Sequence, residues 1–531
     1  MEQKNTNSNT NTTEANTITK LNPVTHELPC ASPPILNQNG IAFLPMHDKG
    51  NDYALKIGDK YLNNLIRTSK QFSNGDSRRK IDVDSINEDL TAFAEMSNKI
   101  LPVYSRVAPL NESDRGIEID IGDSEQTRVR VRAGQIEILN EGSQTLFYRP
   151  SYSLPMVIPA SQGNLDLLKN YVNLAENDYL LLIAWLSYTL AHPKTKTSKY
   201  VILVILSEEG SGKSFLCRAI INKLIDPSQI VLQKFPKNDK DLVIAAQNSH
   251  LLCYDNLRDL SPDWSDTLCM ASTGGTLSSR ALYTNDDLHT NHLHVALVLN
   301  GIHQFIHEPD LAQRCLKIST KPLSKNQRRS EEDLESELEN DMPAIFRGLL
   351  ELIAKVFAVL PRTSMTNSQR MYDFSRWLAA MEIIDRQKIG SYQDMYEGVL
   401  NDTQIDALLD NLLAATIVAF TQTAEFPRNN KWSGTPTMLW ENLMELLPNR
   451  VRPPKEWPGD PSSLTKKLAS LKVSLLKQGI KVESYRAKER QISVELLDTC
   501  PFRKDGNQTY QQPVITSVGM PLRPGRKPSD F

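Results

Sequence analysis

The 531-residue sequence has no apolar run long enough to cross a bilayer. The longest, Tyr179 to Ala191, has the length of a buried helix, so no membrane partner is expected. Its first residues are polar and rich in Asn and Thr, which predicts no signal peptide and a disordered tail over residues 1–35. Cysteine is sparse: Cys30, Cys217, Cys253, Cys269, Cys315 and Cys500 are scattered, with no CxxC pair. That pattern offers no structural zinc site and reads as the reduced thiols of a cytoplasmic protein. Charge of either sign is not in excess, 60 Lys and Arg facing 63 Asp and Glu, so any basic surface must be local.

What the sequence does have is the stretch YVILVILSEEGSGKSFLCRAI, Tyr200 to Ile220. An unbroken, β-branched apolar run predicts a strand buried on both faces. A loop with Gly210 and Gly212 follows, then Lys213, Ser214 and helical spacing of Phe215, Leu216, Ala219 and Ile220. Strand, glycine turn and helix in that order are the setting of a phosphate-binding P-loop. Glu209, Gly210, Ser211, Gly212, Lys213, Ser214 and Phe215 are the candidate ATP contacts. Lys213 would neutralise phosphate and Ser214 would hold Mg²⁺. Ser207 stands where the pattern GxxxxGK[ST] has its first glycine.

Downstream, Ile230 to Phe235, Leu251 to Tyr254, Val295 to Leu299 and Cys315 to Ile318 predict four more strands, completing a five-stranded parallel sheet of an α/β core. Asp255, at the end of LLCY, sits where a second Mg²⁺ ligand belongs. Asn256 follows it and can orient a water but cannot take its proton. Hydrolysis would then use Asp255, Glu208 or Glu209, or be slow. Asn300 ends its strand as a candidate sensor of the nucleotide, although an Asn300-Gly301 turn explains it too. Arg314 is a candidate arginine finger acting on a neighbouring subunit, a surface ion pair being the plain alternative. The segment around Arg280 and Tyr283 reads as a hairpin offered to a pore, with Arg280 and His289 as DNA contacts and its three histidines solvated. Glu331 to Asp341 reads as a solvated acidic helix, and Ala344 to Leu360 as a second helix forming a lid.

Ahead of the core, residues 36–155 read as an α+β domain. Helical patterns run over Tyr53 to Ser69 and Val83 to Asn98. Short strands follow over Val103 to Ala108, Ile117 to Ile121, Val129 to Arg132, Ile136 to Leu139 and Thr145 to Tyr148. Glu118, Asp120 and Asp123 suit an exposed strand face and turn better than a metal pair. Residues 156–196 read as a helical collar, 197–360 as the core and 361–425 as a helical linker. Over 426–500 come a first helix within WSGTPTMLWENLMELL, the stretch from Trp432, a second from Pro461 to Gln478 with Asp460 as N-cap, and two strands joined by Arg486 to Arg490. That order predicts a winged helix, with Lys466, Lys477, Arg486, Lys488 and Arg490 as duplex contacts. From Arg450 to Phe531 there are 16 Lys and Arg against 8 Asp and Glu, a local excess suited to phosphates. Residues 501–531 read as a disordered basic tail.

SEEGSGKS, LLCYDN, the TGG before Arg280 and the strand ending in Asn300 together resemble the superfamily 3 helicase branch of AAA+ ATPases. The layout is similar to replication proteins of phages, plasmids and genomic islands, and to the helicase half of poxvirus-type primase-helicases. The resemblance implies an AAA+ core and a homo-oligomeric ring, six subunits in number. ATP and Mg²⁺ would sit between neighbours and single-stranded DNA in the pore, with a primase or loader as a candidate partner. The expected function is an ATP-dependent DNA helicase or replication initiator of a mobile element. Two alternatives stay open: an ATP-dependent regulatory or defence switch that assembles on DNA without unwinding it, and a non-enzymatic DNA-binding scaffold.

Overall fold

A computed structural model describes residues 32–68, 82–110, 115–280, 288–322, 329–366, 369–447, 457–487, 489–502, 514–515 and 521–522. The expected tails, Cys30, Tyr283 and Lys488 therefore lie wholly or largely outside the described residues. Two compact units are present: Met1–Leu257 with Thr267–Ile302 and Leu316–Tyr396, and Arg258–Asp266 with His303–Cys315 and Glu397–Phe531.

In the first unit every residue of Ile202–Leu206 is buried, as an all-apolar central strand requires. Across its sheet the order is Cys315–Ile318, Ile202–Leu206, Ala296–Gly301, Leu251–Leu257, Gln233–Lys234. Numbered along the chain, that order is 5-1-4-3-2. Val298 lies opposite Leu203, Leu251 opposite Ala296 and Tyr254 opposite Gln233, all in parallel pairings. The second strand is much shorter than expected from Ile230 to Phe235, because only Gln233 and Lys234 reach the edge. Behind the sheet, Glu176–Ala191 is buried all round from Leu181 to Ala191, and Trp185 Nε1 donates to the Val201 carbonyl at 2.7 Å.

The amino-terminal part departs from the expected helix over Tyr53 to Ser69. Asn51–Lys56 is a strand paired with Ala42–Asp48, and the helix begins only at Lys60. The apolar run Tyr53, Ala54 and Leu55 does not alternate, so periodicity cannot tell strand from helix there, and the pairing with Ala42–Asp48 decides it. The strands Val107–Pro109, Gly116–Asp120, Arg128–Arg132 and Gln135–Leu139 form a meander. The expected strand Thr145 to Tyr148 is reduced to isolated bridges at Phe147 and Tyr148.

Glu118 and Asp120 are not on an exposed face: both are fully buried. Arg128 and Arg149 pair with Asp120, and Arg130 with Glu118 at 2.6 Å. Buried carboxylates need such partners. Asp123 caps a turn by accepting from Thr127 N at 2.8 Å. Arg106, also fully buried, donates from Nε to Asp226 at 2.9 Å, where the helix after the glycine loop ends. The other Asp226 oxygen accepts from His250 N at 2.7 Å, at the root of the Leu251–Leu257 strand.

Glu331 to Leu360 is not two helices. Glu331–Val359 runs unbroken through Pro343. Nor is its acidic end simply solvated: Glu331 and Glu335 pair with Arg218, and Glu339 with Lys223.

The second unit packs Leu412–Thr421, Pro436–Glu445 and Pro461–Lys477 against a sheet ordered Lys431–Gly434, Arg490–Leu496, Ile480–Arg486. Its core includes Leu413, Trp432, Leu439, Leu464, Leu468, Leu475 and Val494. Asp460 closes a capping box with Ser463, as the N-cap reading expected.

Candidate functional site

The loop after Ile202–Leu206 turns at Gly210 and Gly212, whose φ values are +71° and +87°. Only glycine enters that region without a Cβ penalty. The chain then continues as one helix, Lys213–Phe215 into a wider-wound Leu216–Ile221 and Asn222–Ile225. Leu216, Cys217, Ala219, Ile220, Ile221 and Leu224 bury its inner face.

A cavity of about 650 Å³ opens on this loop. Glu209, Gly210, Ser211, Gly212, Lys213, Ser214 and Phe215 all line it, with Asp255 and Asn256. The Lys213 ammonium folds back and donates to the carbonyls of Ser207 at 2.6 Å and Glu208 at 2.7 Å. Burial lowers its proton affinity, and the Asp255 charge is the largest one opposing that. Ser211 Oγ ties the turn by donating to the Glu208 carbonyl at 2.8 Å. The Ser207 hydroxyl accepts from both the backbone N and the hydroxyl of Thr320, each at 2.7 Å, and so fastens the loop to the neighbouring edge segment.

Asp255 and Asn256 lie within the strand Leu251–Leu257, beyond the expected end at Tyr254. The pairing slips between Tyr254 and Leu257, and Asn256 takes a φ of +58°. Asn256 is exposed, and its backbone N donates to its neighbour's Asp255 Oδ1 at 2.9 Å. Asn300, by contrast, is buried, and the Cys217 thiol is the side chain it meets. Burial pushes that thiol up to about 12. Ser214 and Asp255 both line the cavity and carry oxygen donors. No cluster of three His, Cys, Asp or Glu able to hold a metal occurs among the described residues.

Tyr171, Val172, Thr320, Arg329 and Leu334 also line the cavity and were not legible beforehand. They carry no motif; the loop before Glu176–Ala191, the segment just after Cys315–Ile318 and the approach to and first turn of Glu331–Val359 bring them in. Tyr171 donates to Asp341 at 2.7 Å, and burial followed by that bond pushes its hydroxyl up to about 12.

Arg314 belongs to the second unit and is nearly buried. It pairs with Asp310 at 3.0 Å, one helical turn earlier. The Arg280 and His289 backbones lie on the hairpin Gly275–Arg280 and Leu288–Leu293, with Ser279 opposite His289; their side chains lie outside the described residues. His294 is not a solvated hairpin position: it packs on Tyr200 at 4.9 Å. Lys466 and Lys477 are exposed on Pro461–Lys477, and Arg486 and Arg490 are exposed and directly paired at the end of the two-stranded hairpin.

Residues 165–406 match the family described as actinomycete integrative conjugative element replication protein, and residues 413–508 match the C-terminal domain of the same family, AICE RepA. The chain is a mobile-element replication protein. No curated protein matches it. Among solved structures, it is similar to an apo A form of the NrS-1 C terminal region at 11% identity, over 87% of this chain and 96% of that one, with a TM-score of 0.37. A second apo structure of that region is 12% identical over 87% and 95%, again at 0.37. That likeness is too slight to carry an inference. No single helix among the described residues of this replication protein is long and apolar enough to cross a membrane.

Proposed function

We propose that this replication protein is an AAA+ DNA helicase or translocase driven by Mg-ATP bound at the 207–214 loop. The observation that carries the reading is the Lys213 ammonium, held against its own loop's carbonyls at the mouth of a cavity shared with Ser214 and Asp255. A triphosphate would take the lysine from those carbonyls, while loop N–H groups converge on its oxygens. Ser214 and Asp255 would hold Mg²⁺, which screens charge on the phosphates. The sheet order 5-1-4-3-2 supports an AAA+ core, since it sets the Asn300 strand directly beside the loop strand and the Asp255 strand next beyond it. Asn300, buried at the end of the strand beside the loop strand with a weakly bonding thiol as neighbour, suits a sensor that turns to a ligand or its water when one arrives.

In this reading ATP sits between subunits of a ring, six in number, and Arg314 reaches the neighbour's phosphates after leaving Asp310. The hairpin residues Arg280 and His289 follow single-stranded DNA. The second unit acts as a winged helix on duplex. Two arginines paired across a hairpin end, Arg486 and Arg490, repel each other unless an anion lies between them. A primase or loader would complete the system.

The test is ATP turnover stimulated by single-stranded DNA and displacement on a forked duplex, both lost in Lys213→Ala. Asn256 favours one other reading, a slow switch that assembles without unwinding, because an amide cannot serve as general base. Binding and oligomerisation without displacement would select the switch.

A further inference from the structure

A second cavity, of about 510 Å³, opens at the opposite, amino edge of the parallel sheet, where the hairpin strands Gly275–Arg280 and Leu288–Leu293 are rooted. Its walls come from the hairpin root, from the Lys194–Lys196 segment and from the loops around Asn39 and Tyr104. No Asp or Glu lines it, although acids outnumber bases in the whole chain. Lys194, Lys196, His292 and His294 do line it, among amides and hydroxyls.

Two polar atoms on these walls have no hydrogen-bond partner, His294 Nε2 and Ser105 Oγ. Buried polar atoms without partners are uncommon and call for a ligand or water. The Lys194 ammonium is buried and satisfied by the carbonyls of Ala246, at 2.5 Å, and of Ser249. It therefore supplies fixed positive potential without blocking the space. Lys196 and His292 are exposed at the rim, and His292 meets Thr276 across the hairpin at 3.3 Å. Tyr104 and Pro102 give the wall its apolar part.

We infer that this cavity binds one nucleotide of a single-stranded nucleic acid. The phosphodiester would lie toward Lys196 and the sugar or base edge toward Ser105 and His294. The inference rests on the DNA-acting reading above but not on ATP turnover. It places a strand contact at the hairpin's root, distinct from Arg280 and His289 further along it.

The test measures binding of a labelled oligothymidylate of about twelve nucleotides to the full chain and to K196E/H292A, whose altered residues are both exposed. MgATP binding serves as the folding check. The expected result is affinity about tenfold weaker at low salt, with a salt slope shallower by about one. A 4-thiothymidine strand should crosslink to peptides holding Tyr104 or Thr276. Unchanged affinity and slope, or crosslinks only elsewhere, overturn the inference. If thymidine monophosphate binds as tightly as the strand and is lost in the variant, the cavity takes a free nucleotide and the strand assignment fails. Retained strand effects in a chain that never turns over ATP would leave this site standing while the motor reading falls.

Discussion

At the scale of single residues, the glycine loop is held by groups that a phosphate ligand would not use. Ser207 replaces a glycine of the familiar pattern, and its hydroxyl accepts twice from Thr320. Ser207→Ala leaves both donors of Thr320 without that acceptor, a cost of about 1–3 kcal/mol. Urea unfolding should show that loss, together with weaker nucleotide retention; unchanged stability would show that water replaces the bond. Arg314 offers a different contrast. Its ion pair with Asp310 keeps the guanidinium at home, so Arg314→Ala should leave ATP binding intact while removing turnover. Active Arg314→Ala rings would exclude the trans role.

At the scale of elements, local signals read well and distant ones poorly. The loop strand, Ala296–Gly301 and the Asp460 cap were legible because apolar runs, glycines and capping residues act within a few positions. Asp460→Ala should lower the melting temperature of the second unit, costing about 1 kcal/mol. An unaltered transition would mean that Leu464 and Leu468 packing alone sets the helix start. The strand Asn51–Lys56 was not legible, since its reason for being extended is Ala42–Asp48 beside it. Glu331–Val359 was misread at Pro343 because its support comes from elsewhere: the carbonyls of Pro343 and Ala344 accept from Ala160 N and Asn164 N. Buried Glu118 and Asp120 were misread for a related reason. The three arginines that meet them come from other strands and loops, and alternation in one strand cannot show which face is covered.

At the scale of the whole molecule, the two units should respond to acid in opposite directions. In the first, burial holds His192, His250 and His294 at about 4, below the usual 6.5. Unfolding lets each take a proton near its ordinary value. Between about pH 6.5 and 4 the unfolded chain thus binds up to three more protons, and stability falls with pH by as much as about 4 kcal/mol per unit. Asp120 does not add to this loss. Burial alone would raise it, but Arg128 and Arg149 outweigh that and hold it below the usual carboxylate range, so its share is lost only at lower pH. Lys194, held near 8 by burial, stays charged in both states across the window. In the second unit His307 bridges Asp410 and Asp259, and the bond to Asp410 raises its proton affinity. Its contribution is complete below the unfolded value and disappears as pH rises through the folded one. Calorimetry at pH 5 and pH 7.5 should therefore show the first unit melting earlier in acid while the second holds or gains. His294→Gln should make the first unit's acid loss shallower by about one proton. A single transition moving together at both pH values would mean that the histidines are solvated and the two units unfold as one.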